Sequence, residues 1–328
     1  MQLSKIFRFV ALAFGISWGA MLIPRFIPIT EQWQMLLLVI VVLFGPALAA
    51  IILRLFTYKG SLSEDGLFSK SFQWKWFWAS AFFPILALFG SFGVIYVLGN
   101  ILQLPGFGEV VMAHQGVSLS VTELFYQAAS NAFGSVEELL LPFTKSEGYL
   151  PSFSLYDPST ISDSSTLITL LIIIGISLLA GLTINGVFML GQELGFRGFL
   201  LGATRPLGFL GGNLVIGFLQ GLWYLPFVLN SPNPFTNFMV LMGISISTAF
   251  PLAYVALKSN SVFSAAVFRG VLSTVAIASF LFVYGADPLV GSLSGVAGMI
   301  AFLVLTFLII YLDPDFVEEY REKEYGKS

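Results

Sequence analysis

Three short stretches of this 328-residue chain place ionisable or amide side chains one helical turn apart inside apolar sequence. The first is Gly191-Gln192-Glu193-Leu194-Gly195-Phe196-Arg197-Gly198-Phe199-Leu200. Glu193 and Arg197 stand at i, i+4, so on a helix they share a face and can pair. The pairing is either a local ion pair at a helix end or part of a site built around a carboxylate. The second is Gln220-Gly221-Leu222-Trp223-Tyr224-Leu225-Pro226. Gln220 and Tyr224 are again at i, i+4, with Trp223 between them, and Pro226 should kink the helix and free a nearby carbonyl. Polar contacts of this kind also simply hold helices together in membranes. The third is Arg269 with Ser273. Arg269 lies seven residues in from Val262, roughly 10 Å along a helix. At a span centre an unpaired Arg costs about 2.5–3.5 kcal/mol. It must therefore snorkel outward or find an acceptor. Glu193 is the acid best placed to serve, so a Glu193–Arg269 contact is expected.

The remaining composition removes whole classes of chemistry. The chain has no Cys, which excludes disulfides, thiolate metal sites and a Cys nucleophile. Its one His, His114, lies in a polar stretch away from the three motifs and reads as an ordinary loop residue. A catalytic zinc site needs more His and carboxylate ligands than these segments hold, so no metal and no cofactor is expected. The net charge of -3 comes with no basic patch, which sets nucleic acid aside as a partner.

The elements that must position the three motifs are transmembrane helices. Only 10% of residues are charged, against about 25% in soluble domains. A soluble fold could not bury the apolar remainder, whereas lipid solvates it. A bilayer crossing needs about 20 mostly apolar residues. Eight segments qualify, at about 6–24, 34–56, 74–98, 166–190, 207–229, 236–257, 262–285 and 291–312. The expected fold class is an all-α polytopic membrane bundle forming a single transmembrane domain, in contact with membrane lipid. The first segment follows Lys5 and Arg8 but lacks a small-x-small cleavage site, so it reads as a span and not as a signal peptide. With the N-terminus inside, twelve Lys and Arg fall in cytoplasmic segments and two, Arg25 and Lys145, fall outside. That bias predicts cytoplasmic N- and C-termini. The 99–165 loop is then extracytoplasmic. It is acidic, and residues 119–141 carry apolar spacing that suits a cap over the bundle or an interfacial helix. Residues 313–328 read as a solvated cytoplasmic tail.

At these motifs the chain resembles the CAAX protease and bacteriocin-processing (CPBP, or Abi) family of intramembrane proteases. Phe14-Gly15-Ile16-Ser17-Trp18 looks like the family's opening helix, and Gly45-Pro46-Ala47-Leu48-Ala49-Ala50 looks like its second. The stronger likeness is an ordered trio. The family has Glu-Glu-x-x-x-Arg, then Trp-His-x-Pro, then a Ser-led helix with His-x-x-x-Asn. This chain has Gln192-Glu193-x-x-x-Arg197, then Trp223-Tyr224-Leu225-Pro226, then Ser261 followed by Arg269 and Ser273. The resemblance implies a buried, cytoplasm-facing site in a CAAX-type helical bundle of a prokaryotic cell membrane. In that site the first Glu activates water, a His assists, and a second His with an Asn holds the oxyanion.

The departures fall on those positions. Gln192 stands for the water-activating Glu, Tyr224 for the first His, Arg269 for the second His and Ser273 for the Asn. A Gln has no proton-accepting carboxylate. Tyr titrates near about 10 and shuttles protons poorly at neutral pH. Arg can stabilise an oxyanion but cannot accept a proton. The expectation is therefore a pseudoprotease that binds a membrane peptide, a lipidated peptide or a transmembrane partner, with Gln220 and Trp223 as binding residues. The alternatives are an active endopeptidase using Glu193, and a transporter or transporter subunit lined by Gln220, Tyr224 and Arg269.

Overall fold

A computed structural model of the chain describes residues 2–67, 71–110, 163–229, 231 and 233–323. Helices dominate, as the apolar runs require. Without water, backbone N–H and C=O groups must be satisfied within the segment itself. α1 (Gln2–Leu22) and α2 (Gln32–Ile51) form a hairpin, and α2 continues through a wide π-type turn, Ile52–Thr57. Glu31 and Gln34 close a capping box at the start of α2, so two otherwise orphaned donors are satisfied there. Ser17 of α1 donates to the Val42 carbonyl of α2 at 2.9 Å. Gly45 leaves room for that Ser17 side chain, which a Cβ would displace.

α3 (Trp74–Ile95) follows, then α4 (Asp163–Leu182) and α5 (Ile184–Glu193), whose last turn widens into a π-type segment over Leu194–Leu200. Next come α6 (Gly208–Trp223), a helical turn Leu225–Val228, α7 (Pro234–Lys258) and α8 (Val262–Val275). α9 (Val296–Leu312) and the short α10 (Pro314–Glu318) close the described chain. α8 is central: it packs against α3, α4, α5 and α7.

Among the described residues, six helical stretches are long and apolar enough to cross a membrane: Leu3–Arg25, Trp33–Thr57, Trp74–Ile101, Ile184–Trp223, Pro234–Lys258 and Val262–Phe282. A seventh arises if Val296–Leu312 is counted with Pro314–Arg321 across their 98° bend. The chain is thus an all-α, multi-pass membrane protein. Eight spans were expected, and two of the expected stretches are arranged differently from single straight helices. The single span expected over 166–190 is divided at Thr183, whose φ of -121° and ψ of -107° leave the helical region. Its first part falls in α4, Asp163–Leu182, and its second in α5. The 207–229 segment is likewise interrupted, because α6 stops at Trp223 and the helix restarts at Leu225 with Pro226 in its first turn.

One further expectation changes. Residues 313–323 are not simply a solvated tail. After the bend, Phe316 and Tyr320 are 1% and 0% exposed. They meet Phe209 edge to face at 6.0 and 5.3 Å between ring centroids. Phe316 also meets the Tyr254 ring at 4.9 Å. Burial of aromatic area draws the segment back onto the bundle. Within the 99–165 loop, Glu109–Val110 forms a short strand paired antiparallel with Val283–Tyr284. His114 and the 119–141 stretch lie outside the described residues.

Candidate functional site

The three motifs meet in one place, and helix packing brings them there. α5 and α8 cross at glycines. A Cβ on Gly270 would stand 2.9 Å from the Gly186 nitrogen and 3.1 Å from the Asn185 carbonyl carbon. Small residues at such crossings let backbones approach closely. α2 crosses the following segment in the same way, since a Cβ on Gly195 would meet Pro46 at 2.5 Å. The Gly45-Pro46 step of α2 therefore sits against the motif that begins at Gly191. These contacts bury residues 191–201 almost throughout. The Gln192–Leu200 motif is thus inside the bundle and not at an exposed helix end. Its widened turn is the kind of local irregularity that clusters at functional positions.

Glu193 is fully buried and engages two guanidinium groups. Arg269 Nε lies 2.6 Å from Glu193 Oε1, and Arg197 Nη1 lies 3.3 Å from Glu193 Oε2. The expected Glu193–Arg269 contact is present, so Arg269 turns inward instead of snorkelling. From there the network runs through the second motif. Arg269 Nη2 donates to Gln220 Oε1 at 3.0 Å. Arg197 Nη1 donates to the same oxygen. Arg269 Nη1 donates to the Tyr224 hydroxyl at 3.2 Å, and that hydroxyl donates to Gln192 Oε1 at 2.7 Å. Arg269 thus bridges all three motifs.

The charge count is uneven. Two guanidinium groups face one carboxylate, with neutral Gln192, Gln220 and Tyr224 completing the cluster. Two buried donors, Gln220 Nε2 and the Trp223 indole N–H, have no hydrogen-bond partner among the described residues. The orientation of the Gln220 amide is set by the two guanidinium donors on its oxygen, and its N–H₂ is left facing away. An unmade bond at a buried donor costs about 1–3 kcal/mol.

Pro226 acts largely as the sequence suggests. The helix breaks at Tyr224, and the Trp223 carbonyl accepts the Trp18 indole N–H at 3.1 Å. That bond ties α1 to the second motif. Trp223 itself is fully buried and packs its ring 4.9 Å from Tyr224 and 6.3 Å from Phe196.

Ser273 does not join the cluster. It is exposed, donates to the Gly270 carbonyl at 2.8 Å, and accepts from Asn185 Nδ2 at 3.3 Å. Arg269 reaches the cluster and Ser273 does not, although the two share a helix face, because the long guanidinium arm spans a distance that a hydroxymethyl cannot. Ser261 is the N-cap of α8 and accepts from the Phe263 N–H at 3.2 Å. Sequence reasoning missed Asn185, which also donates to Thr274 Oγ1 at 2.7 Å. The available signal was an amide one residue from Gly186, at a crossing that only small residues permit.

Most polar groups of the cluster are engaged with one another. The carboxylate oxygens face guanidinium nitrogens, and the tyrosine and one amide are engaged with each other. Two surface cavities of about 400 Å³ are lined by none of these six residues. Among the described residues no three His, Cys, Asp or Glu side chains gather as a metal site. No protein-family model and no curated protein matched the chain.

Proposed function

We propose that this chain is a CAAX-protease-like membrane protein whose proteolytic site has become a closed polar core, and that it binds a membrane peptide or transmembrane partner. The observation that carries this reading is the position of Tyr224 and Arg269. Both side chains occupy the space beside the Glu193 carboxylate and bond to residues of the first motif, which supports a closed site and not an open, wet one. Gln192 is the second support, because an amide cannot take a proton from water. The 12-to-2 distribution of basic residues supports cytoplasmic termini. Binding asks only for a groove between helices and a few polar contacts.

The test is a cleavage assay in liposomes on membrane-anchored and prenylated peptides, with Glu193→Ala as control. No cleavage is expected from the native chain. Cleavage that disappears in Glu193→Ala would make Glu193 a working base and refute the proposal. The binding half is tested with a photocrosslinker placed at exposed Ser273 in native membranes. A single recurrent membrane-protein adduct is expected, and adducts to lipid alone would remove the partner.

A further inference from the structure

A second feature of the molecule lies beside the cluster but is independent of it. A cavity of about 410 Å³ opens between α1, α2 and the turn after α6. Its walls follow helical stripes. Trp18, Met21, Leu22 and Arg25 stand at i, i+3, i+4 and i+7 at the end of the first apolar stretch. Met35, Val39 and Val42 repeat the pattern on α2, and Phe227 and its neighbours close the third side. Every lining residue but one is apolar. The exception is Arg25, the last residue of the Leu3–Arg25 stretch, which places its guanidinium at the depth where a span leaves the hydrocarbon. Arg25 is exposed and makes no ion pair or side-chain hydrogen bond among the described residues. From Met35 to Val42 the groove runs roughly 10 Å into the apolar layer. It is a cleft with one cation at its mouth and hydrocarbon along its length.

We infer that this groove holds an anionic phospholipid, with the phosphate on the Arg25 guanidinium and one acyl chain lying along Met35, Val39 and Val42. Charge complementarity selects the occupant. Arginine matches a phosphate bidentately, and its guanidinium has no competing acid in the described structure. The lower groove offers nothing polar, so a free anion would leave most of it unfilled, whereas an acyl chain fills it. The occupant would also touch Trp18 and Phe227. Trp18 is bonded to the Trp223 carbonyl, so the lipid would brace the hairpin against the second motif.

The experiment uses the full chain in detergent with equal amounts of phosphatidylglycerol and phosphatidylcholine, and reads retained lipid by native mass spectrometry. Preference for phosphatidylglycerol by about fivefold is expected, the worth of one cation at an anionic headgroup. Arg25→Gln, an exposed substitution that leaves the core intact, should abolish the preference. Val39→Trp should fill the groove and reduce retention of both lipids. Glycerol phosphate, which has no acyl chain, should not be retained. The inference is overturned if Arg25→Gln keeps the preference, if Val39→Trp retains lipid undiminished, or if glycerol phosphate binds as well as the lipid.

Discussion

Exchanging the carboxylate of Glu193 for an amide tests the charge logic of the buried cluster directly. The native cluster holds two guanidinium groups and one carboxylate. Glu193→Gln keeps the shape and leaves two buried cations with no counter-charge. Glu193 is 0% exposed and the Arg269 side chain 11%, so solvent screens little of the effect. Removing one partner of a buried pair costs about 3–5 kcal/mol. That corresponds to a fall of roughly 6–20 °C in the thermal midpoint at the 2–4 °C per kcal/mol of larger domains. Gln220→Glu is the mirror change. It puts a carboxylate oxygen where Gln220 Oε1 already accepts from Arg197 and from Arg269 at 3.0 Å. It also removes the unpartnered Nε2 donor. Desolvating a new carboxylate costs several kcal/mol, but it would face two guanidinium groups, each attracting it by about 4 kcal/mol at a 4 Å separation and an effective dielectric of 20. Gln220→Glu is therefore expected to hold the midpoint at or above that of the native chain. The double exchange, Glu193→Gln with Gln220→Glu, returns one carboxylate to the same two cations and should recover most of the loss. The assay is tryptophan fluorescence during a thermal ramp in one detergent at one scan rate, since membrane-protein midpoints are often kinetic. If Glu193→Gln melts within about 1 °C of the native chain, or if the double exchange is no better than Glu193→Gln, the cluster is not held by this charge balance.

Other perturbations test the remaining contacts. Gly270→Val should cost about 1–3 kcal/mol by overpacking the α5–α8 crossing, read as a lower thermal midpoint and as weakened crosslinking between cysteines introduced on the two helices. Tyr320→Ala removes a fully buried ring from between α6 and the folded-back end segment. A loss of about 3–5 kcal/mol is expected, with faster proteolysis after residue 312 in intact proteoliposomes. Unchanged proteolysis would mean the segment is not held by that ring. Trp18→Phe deletes the bond to the Trp223 carbonyl but keeps most of the packing, and should cost about 0.5–1.5 kcal/mol.

Much of the site could be read along the chain because its parts are local. Glu193 and Arg197 are one turn apart, as are Gln220 and Tyr224, and the helical repeat alone puts each pair on one face. The Glu193–Arg269 contact could also be inferred, from the cost of an unpaired cation in hydrocarbon and the shortage of acids nearby. Ser273 failed the same reasoning. Spacing put it on the Arg269 face, but side-chain length decided which of the two reached the cluster. The helix break at Thr183 carried no sequence signal strong enough to interrupt an apolar run. Nor did the run of charges after Asp313 reveal that Phe316 and Tyr320 would turn back onto Phe209.

By itself the sequence determined that this is a multi-pass helical membrane protein, because apolar runs of span length have no other solvent. It also determined which few polar groups must find partners inside. Only the tertiary structure decided that those groups meet one another in a single cluster. Whether Tyr224 and Arg269 line a cavity or fill it depends on how closely α2, α5 and α8 approach at their glycines. That distance comes from side chains meeting across the bundle, far apart in the chain, and no local spacing encodes it.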